Sequence, residues 1–147
     1  YLYVACINGS PWERDGQGFI ALLNLDGSLK SERWVTGLDA PKGMGVYDGQ
    51  LYVADMDQIV VIDIESAEVQ VKIQVPGAAQ LNDIAIDDKG KVYFTDSETG
   101  WIWTMEDGKP EKWVEGNFER PGSVYSQKCG TSQLVFIRVY GLRPYNL

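Results

Sequence analysis

A hairpin that recurs about every forty residues constrains this chain more than anything else in it. Between Leu81 and Ser97 the sequence reads LNDIAIDDKGKVYFTDS. Ile84-Ala85-Ile86 is a short apolar run of the kind a buried inner strand needs. Asp87-Asp88-Lys89-Gly90 is a turn, with Gly90 free to take a positive φ. Val92-Tyr93-Phe94-Thr95 is β-branched and aromatic, hence a second strand, and Asp96-Ser97 ends it. The plan returns as Gly45-Val46-Tyr47, Asp48-Gly49 and Leu51-Tyr52-Val53-Ala54-Asp55. It is partly present as Leu2-Tyr3-Val4-Ala5-Cys6, and in degraded form as Ser123-Val124-Tyr125 with Leu134-Val135-Phe136-Ile137. The second strands begin at intervals of 49, 41 and 42 residues. A period near forty with about four strands per unit is the signature of a β-propeller blade.

The outer strands carry the same period independently. Glu32-Arg33-Trp34-Val35-Thr36-Gly37 matches Glu111-Lys112-Trp113-Val114-Glu115-Gly116, with Lys72-Ile73-Gln74-Val75-Pro76-Gly77 between them. Each twisted sheet must bury its faces against the next, so equivalent positions meet equivalent demands. Trp34 and Trp113 are therefore expected in inter-blade packing or half-exposed on outer strands. No segment shows helical spacing over eleven residues. The expected fold is all-β: one partial propeller domain over 1–147, with about three four-stranded blades. They span roughly 1–45, 46–85 and 86–125, and 126–147 is a degraded or non-native start of a further blade. Because residue 1 is Tyr and Tyr1 to Ala5 already read as strand interior, the chain is expected to be a fragment. Uncovered end blades would then make it self-associate.

Composition narrows the chemistry. Lys and Arg total 13 against 21 acidic residues, giving −8, which argues against nucleic acid or an anionic membrane as partner. All 21 acidic residues precede Arg120, whereas Arg120, Lys128, Arg138 and Arg143 follow them, so residues 1–119 carry −12. This break coincides with the degrading repeat. It reads either as a basic last strand or as an end that is not the native continuation. No run of eighteen apolar residues offers a membrane span. Compartment stays open, with a lean to an exported or periplasmic protein. Two cysteines, Cys6 and Cys129, make no disulfide framework and are expected as small buried apolar residues. With no histidine, Ser-His-Asp and Cys-His pairs cannot be completed within these residues. Any metal must be held by oxygen, which favours calcium, magnesium or manganese.

Two motifs do not hold up. Gly16-Gln17-Gly18-Phe19-Ile20-Ala21 fits G-x-G-x-x-A but opens a strand rather than a helix. Asp55-Met56-Asp57 begins like a calcium loop yet lacks its glycine and closing Glu, so these aspartates read as a strand end and a turn. The better candidates lie in the linkers that enter the inner strands. Lys42, Asn82 and Gly122 fall at one equivalent position, each forty residues from the next. Equivalent blade positions converge around a propeller axis, so Asn82 and Asp83 could supply oxygen ligands and Lys42 could offset an anion. Trp12 and Arg14, in the longest polar connection (Asn8 to Gly18), could reach over the channel. Competing structural readings exist for each: Asn and Asp before a strand often close turns, and a lysine at a rim is often solvated.

The segment LNDIAIDDKGKVYFTDS, with Pro41-Lys42-Gly43-Met44 before it and Glu119-Arg120-Pro121-Gly122 after it, resembles the senescence-marker-protein, gluconolactonase and luciferin-regenerating-enzyme family. The resemblance covers residues 1 to about 122 and implies a six-bladed parent. It also implies a divalent cation, calcium foremost, at the channel mouth and a sugar lactone as substrate. The family's N-D-G motif falls on Asn82-Asp83, making Asn82 the implied metal or substrate contact. Where the family has P-N-G in the next blade, this chain has Pro121-Gly122, so one implied ligand is missing. A metal-dependent lactone hydrolase is thus the leading expectation, and a non-enzymatic ligand- or protein-binding propeller the alternative.

Overall fold

A computed structural model describes residues 1–116, 118–129, 132–138 and 141–142. Of the positive charges noted after Glu119, Arg143 lies outside the described residues, as do the side chains of Lys128 and Cys129.

The described chain is strand and turn throughout, with no helix among the described residues, and therefore none long and apolar enough to cross a membrane. The first sheet holds β1 (Leu2–Cys6), β2 (Gly18–Leu23) and β3 (Leu29–Leu38) in that order. The second holds β4 (Pro41–Tyr47), β5 (Gln50–Asp55), β6 (Gln58–Asp63) and β7 (Glu68–Gln74). The third repeats it with β8 (Leu81–Ile86), β9 (Val92–Asp96), β10 (Ile102–Glu106) and β11 (Lys109–Val114). Beyond these, β12 (Phe118–Glu119) pairs with β15 (Gly141–Leu142), and β13 (Val124–Cys129) with β14 (Ser132–Ile137). All pairings are antiparallel, as meandering four-strand blades require.

Local chemistry explains the hairpins. Asp48 and Gly49 both take positive φ, 46° and 75°, between the paired Tyr47 and Gln50. Asp107 and Gly108 repeat this at 50° and 72° between Glu106 and Lys109. Positive φ at both central residues matches the turn to the right-handed twist of the strands, which is why Asp-Gly stands there. In the third sheet the longer turn is closed by Asp87, whose Oδ1 accepts from the N–H groups of Lys89 and Lys91.

The sheets pack face to face, and the middle strands are apolar on both sides. Leu51 and Val53 of β5 face the first sheet, with Val60 and Ile62 of β6, against Ile20, Val35 and Leu38. The alternate residues Ala54, Ile59 and Val61 face the third sheet, against Leu81, Ile84, Phe94, Trp103 and Met105. Period-two alternation thus feeds two cores from one strand pair, and continuous apolar runs result. Phe94 and Trp103 stack at 6.5 Å between centroids. Trp34 packs beside Tyr3, while Trp113 stays 48% exposed with its edge on Tyr93. Cys6, expected to be buried, is instead half-exposed, because it ends β1, the edge strand of a three-strand sheet.

The result is a partial β-propeller, with the inner strands β4, β8 and β13 side by side. Their approach is tightest near the linkers. A Cβ added at Gly43 would lie 2.4 Å from Asp83 Cα and 2.7 Å from the Asn82 carbonyl oxygen, so only glycine fits. The sequence neighbours of Lys42 and Asn82 therefore touch.

Candidate functional site

Two buried aspartates hold the linkers that place the rim. Asp55, wholly buried at the end of β5, accepts from the N–H of Ala40 at 2.6 Å and of Asp39 at 3.0 Å, and from Gln58 Nε2 at 3.4 Å. Asp96, equally buried at the end of β9, accepts from the N–H groups of Ala79, Gln80, Glu98 and Thr99. A buried carboxylate is tolerable only with such donors, and the donors are the backbone amides that a linker would otherwise leave unpaired. Each latch fixes the residue two positions before the rim residue: Ala40 before Lys42, Gln80 before Asn82. Reading Asp55 as a strand end captured its place but not this role. The signal was present, since Asp55 and Asp96 recur 41 residues apart.

Asn82 has its amide orientation fixed by chemistry. Ser97 Oγ gives its one proton to the Pro121 carbonyl at 3.1 Å, so toward Asn82 it can only accept, which it does from Nδ2 at 2.8 Å. That leaves Asn82 Oδ1 as the acceptor the side chain can offer a ligand. Asp83 is differently engaged. Its Oδ1 accepts from the N–H of Ile84 and its Oδ2 from the N–H of Val124, both at 3.0 Å. Its own N–H donates to Thr95 Oγ1, which donates to the Gly122 carbonyl at 2.7 Å. Asp83 thus pins β8 to β13.

Lys42 folds back on the protein. Its Nζ donates to the carbonyls of Pro11 and Ala40, at 2.8 and 2.9 Å, and sits 3.7 Å from the centroid of the Trp12 ring. Burial pushes its pKa down to about 8, against an opposing pull from the Asp55 carboxylate. Arg14 is held by Asp57 at 2.5 Å and lies 3.9 Å from Asp39. The hydrogen bond to Asp57 raises its pKa above the ordinary guanidinium value.

Trp12 joins the two groups. Besides contacting Lys42, it lines a cavity of about 250 Å³ with Asn82, Ser97 and Arg120. The structure therefore brings Trp12, Asn82 and Lys42 into one cluster, turns Arg14 toward the aspartates behind it and commits Asp83 to backbone amides. Ser97 and Arg120 are the cavity residues that the sequence reading did not single out as site residues. About four residues further along the inner strands, roughly 13 Å by strand rise, Val46, Ile86 and Tyr125 line a second cavity of about 240 Å³.

Among the described residues no three His, Cys, Asp or Glu side chains converge. Asn82 Oδ1 is one neutral donor and both Asp83 oxygens are engaged, so these residues do not by themselves hold a divalent cation.

No family model and no curated protein matches the sequence. Among solved structures, the chain is similar to one in the crystal structure of a nidogen/laminin complex, with a TM-score of 0.62 at 15% identity. The match covers 76% of this chain and 46% of that one, so this chain spans less than half the length of the protein it matches. At that identity the likeness speaks for the propeller-like fold alone.

Proposed function

We propose that the linker-side rim of this propeller binds a small ligand in the cavity lined by Trp12, Asn82, Ser97 and Arg120. One observation carries the reading: the Pro121–Ser97–Asn82 relay leaves an acceptor oxygen committed to no turn, beside an indole held in place by Lys42. An oriented polar atom next to an aromatic surface in a concavity is the usual composition of a small-molecule site.

The hydrolytic version of this reading takes a sugar lactone as the ligand. It is supported by the resemblance to the gluconolactonase family at Asn82-Asp83. A bound calcium would supply Lewis-acid polarisation of the lactone carbonyl. Asn82 would be one ligand, and the remaining oxygen donors must come from outside the described residues. Protein recognition is the second reading, prompted by the similar fold's occurrence in a nidogen/laminin complex.

Titration with D-glucono-1,5-lactone tests the proposal. Saturable binding that Trp12→Ala and Asn82→Ala each weaken at least tenfold is expected, and unchanged affinity in both variants would overturn it. Added calcium decides the hydrolytic version. Calcium-dependent lactone opening and thermal stabilisation, both lost in Asn82→Ala, support it; indifference of both to calcium removes it and leaves binding.

A further inference from the structure

Three linkers enter inner strands at equivalent positions, through Ala40, Gln80 and Arg120. The first two are held by Asp55 and Asp96. For the third linker no carboxylate is seen to accept its N–H groups among the described residues. That linker is held differently: Gly122 N–H donates to the Arg138 carbonyl, Arg138 N–H to the Ser123 carbonyl, and the hydroxyls of Ser97 and Thr95 to the carbonyls of Pro121 and Gly122. Arg120 is the one of the three with positive φ, at 46°. A long side chain adopts that region only where its surroundings over-determine it, and such residues cluster at ligand sites.

The nearby cations have unequal duties. Arg14 is occupied by Asp57 and Asp39, and Lys42 by two carbonyls and the Trp12 face. Arg120 lines the cavity and forms no ion pair among the described residues.

We infer that Arg120 makes this cavity a carboxylate subsite, and that its ligand is a small hydroxy-carboxylate with an apolar face. This rests on the binding reading above. The guanidinium fork suits a carboxylate held by two parallel hydrogen bonds. Asn82 Oδ1 accepts the ligand hydroxyl proton, and Trp12 packs on the apolar face. The −12 charge of residues 1–119 opposes an acidic macromolecule spread over this surface. A compact monoanion instead meets the guanidinium directly, while charges beyond about 8 Å are screened at physiological salt.

Calorimetry on the whole chain with 3-phenyllactate and its neutral counterpart, 3-phenylpropane-1,2-diol, tests the inference. The carboxylate should bind at least tenfold more tightly. Arg120→Gln should abolish that preference, bringing the affinities for the carboxylate and the diol to within about twofold of each other. Arg120→Gly, which relieves the positive φ, should abolish it too while raising the Tm, so a poorly folding Gln variant does not block the test. Equal affinities for the two probes, or a preference that survives in both variants, would overturn the carboxylate subsite. The rim site itself would still stand if Trp12→Ala weakened both probes. Absence of binding by either probe to the unaltered chain would overturn both.

Discussion

The linkers at Ala40 and Gln80 and the linker at Arg120 do the same topological job by different means. In the first two a buried carboxylate gathers backbone N–H groups, and the backbone takes ordinary angles. In the third, hydroxyls of the preceding sheet and backbone pairs hold the chain, and Arg120 carries a left-handed φ. The difference teaches how a repeat acquires a site. Where every position is satisfied by the repeat itself, side chains such as Lys42 turn inward. Where hydroxyls and backbone pairs do the holding instead, the linker's arginine lines the cavity.

The comparison breaks most visibly through the latches. Asp96→Ala would leave four N–H groups without their acceptor and should cost about 3 kcal/mol or more, read by chemical denaturation. Asp55→Ala should behave alike. A loss below about 1 kcal/mol at both would remove the latch argument. Next in size is Gly43→Ala, where the new Cβ meets the backbone of Asp83; overpacking of this kind costs about 1–3 kcal/mol. Asp83→Ala frees the N–H of Val124 and should cost a similar amount, about 1–3 kcal/mol. Its loss of amide protection should concentrate in β13 rather than β5. Smaller, and opposite in sign, Arg120→Gly should stabilise by about 1 kcal/mol by relieving the positive φ.

A pH dependence at Lys42 gives a separate test. Its folded pKa of about 8 lies below the ordinary 10.5, so below pH 8 the folded state bears the full penalty of the half-buried charge. Between those values the unfolded chain binds the proton and the folded one does not, so stability rises with pH across that window. The Tm of the native chain minus that of Lys42→Met should climb between pH 8 and 10.5. A flat difference would mean that the indole and two carbonyls hold the ammonium without penalty.

The architecture was legible because packing repeats. The spacing of Leu51 and Val92, of Trp34 and Trp113, and the Asp-Gly turns all reflect demands that each sheet makes on the next. The convergence of Lys42 and Asn82 followed from the same spacing. What their side chains do there did not. Lys42 answers to Trp12, thirty positions earlier in a loop with no periodic constraint, and Asp83 answers to an amide in the next hairpin. Asp55 and Asp96 looked like turn residues because a strand-ending aspartate has the same local signature whether it caps a turn or anchors a distant linker. Arg120 was hidden for a related reason: its left-handed φ has no counterpart at Ala40 or Gln80, the equivalent positions of the other two linkers.

Amide hydrogen exchange on the unaltered chain tests the central contrast most directly. The N–H groups of Ala40 and Gln80, held by buried carboxylates, should exchange only near the free energy of global unfolding, while that of Arg120 exchanges orders of magnitude faster. Equal protection at all three, or rapid exchange at Ala40 and Gln80, would contradict it.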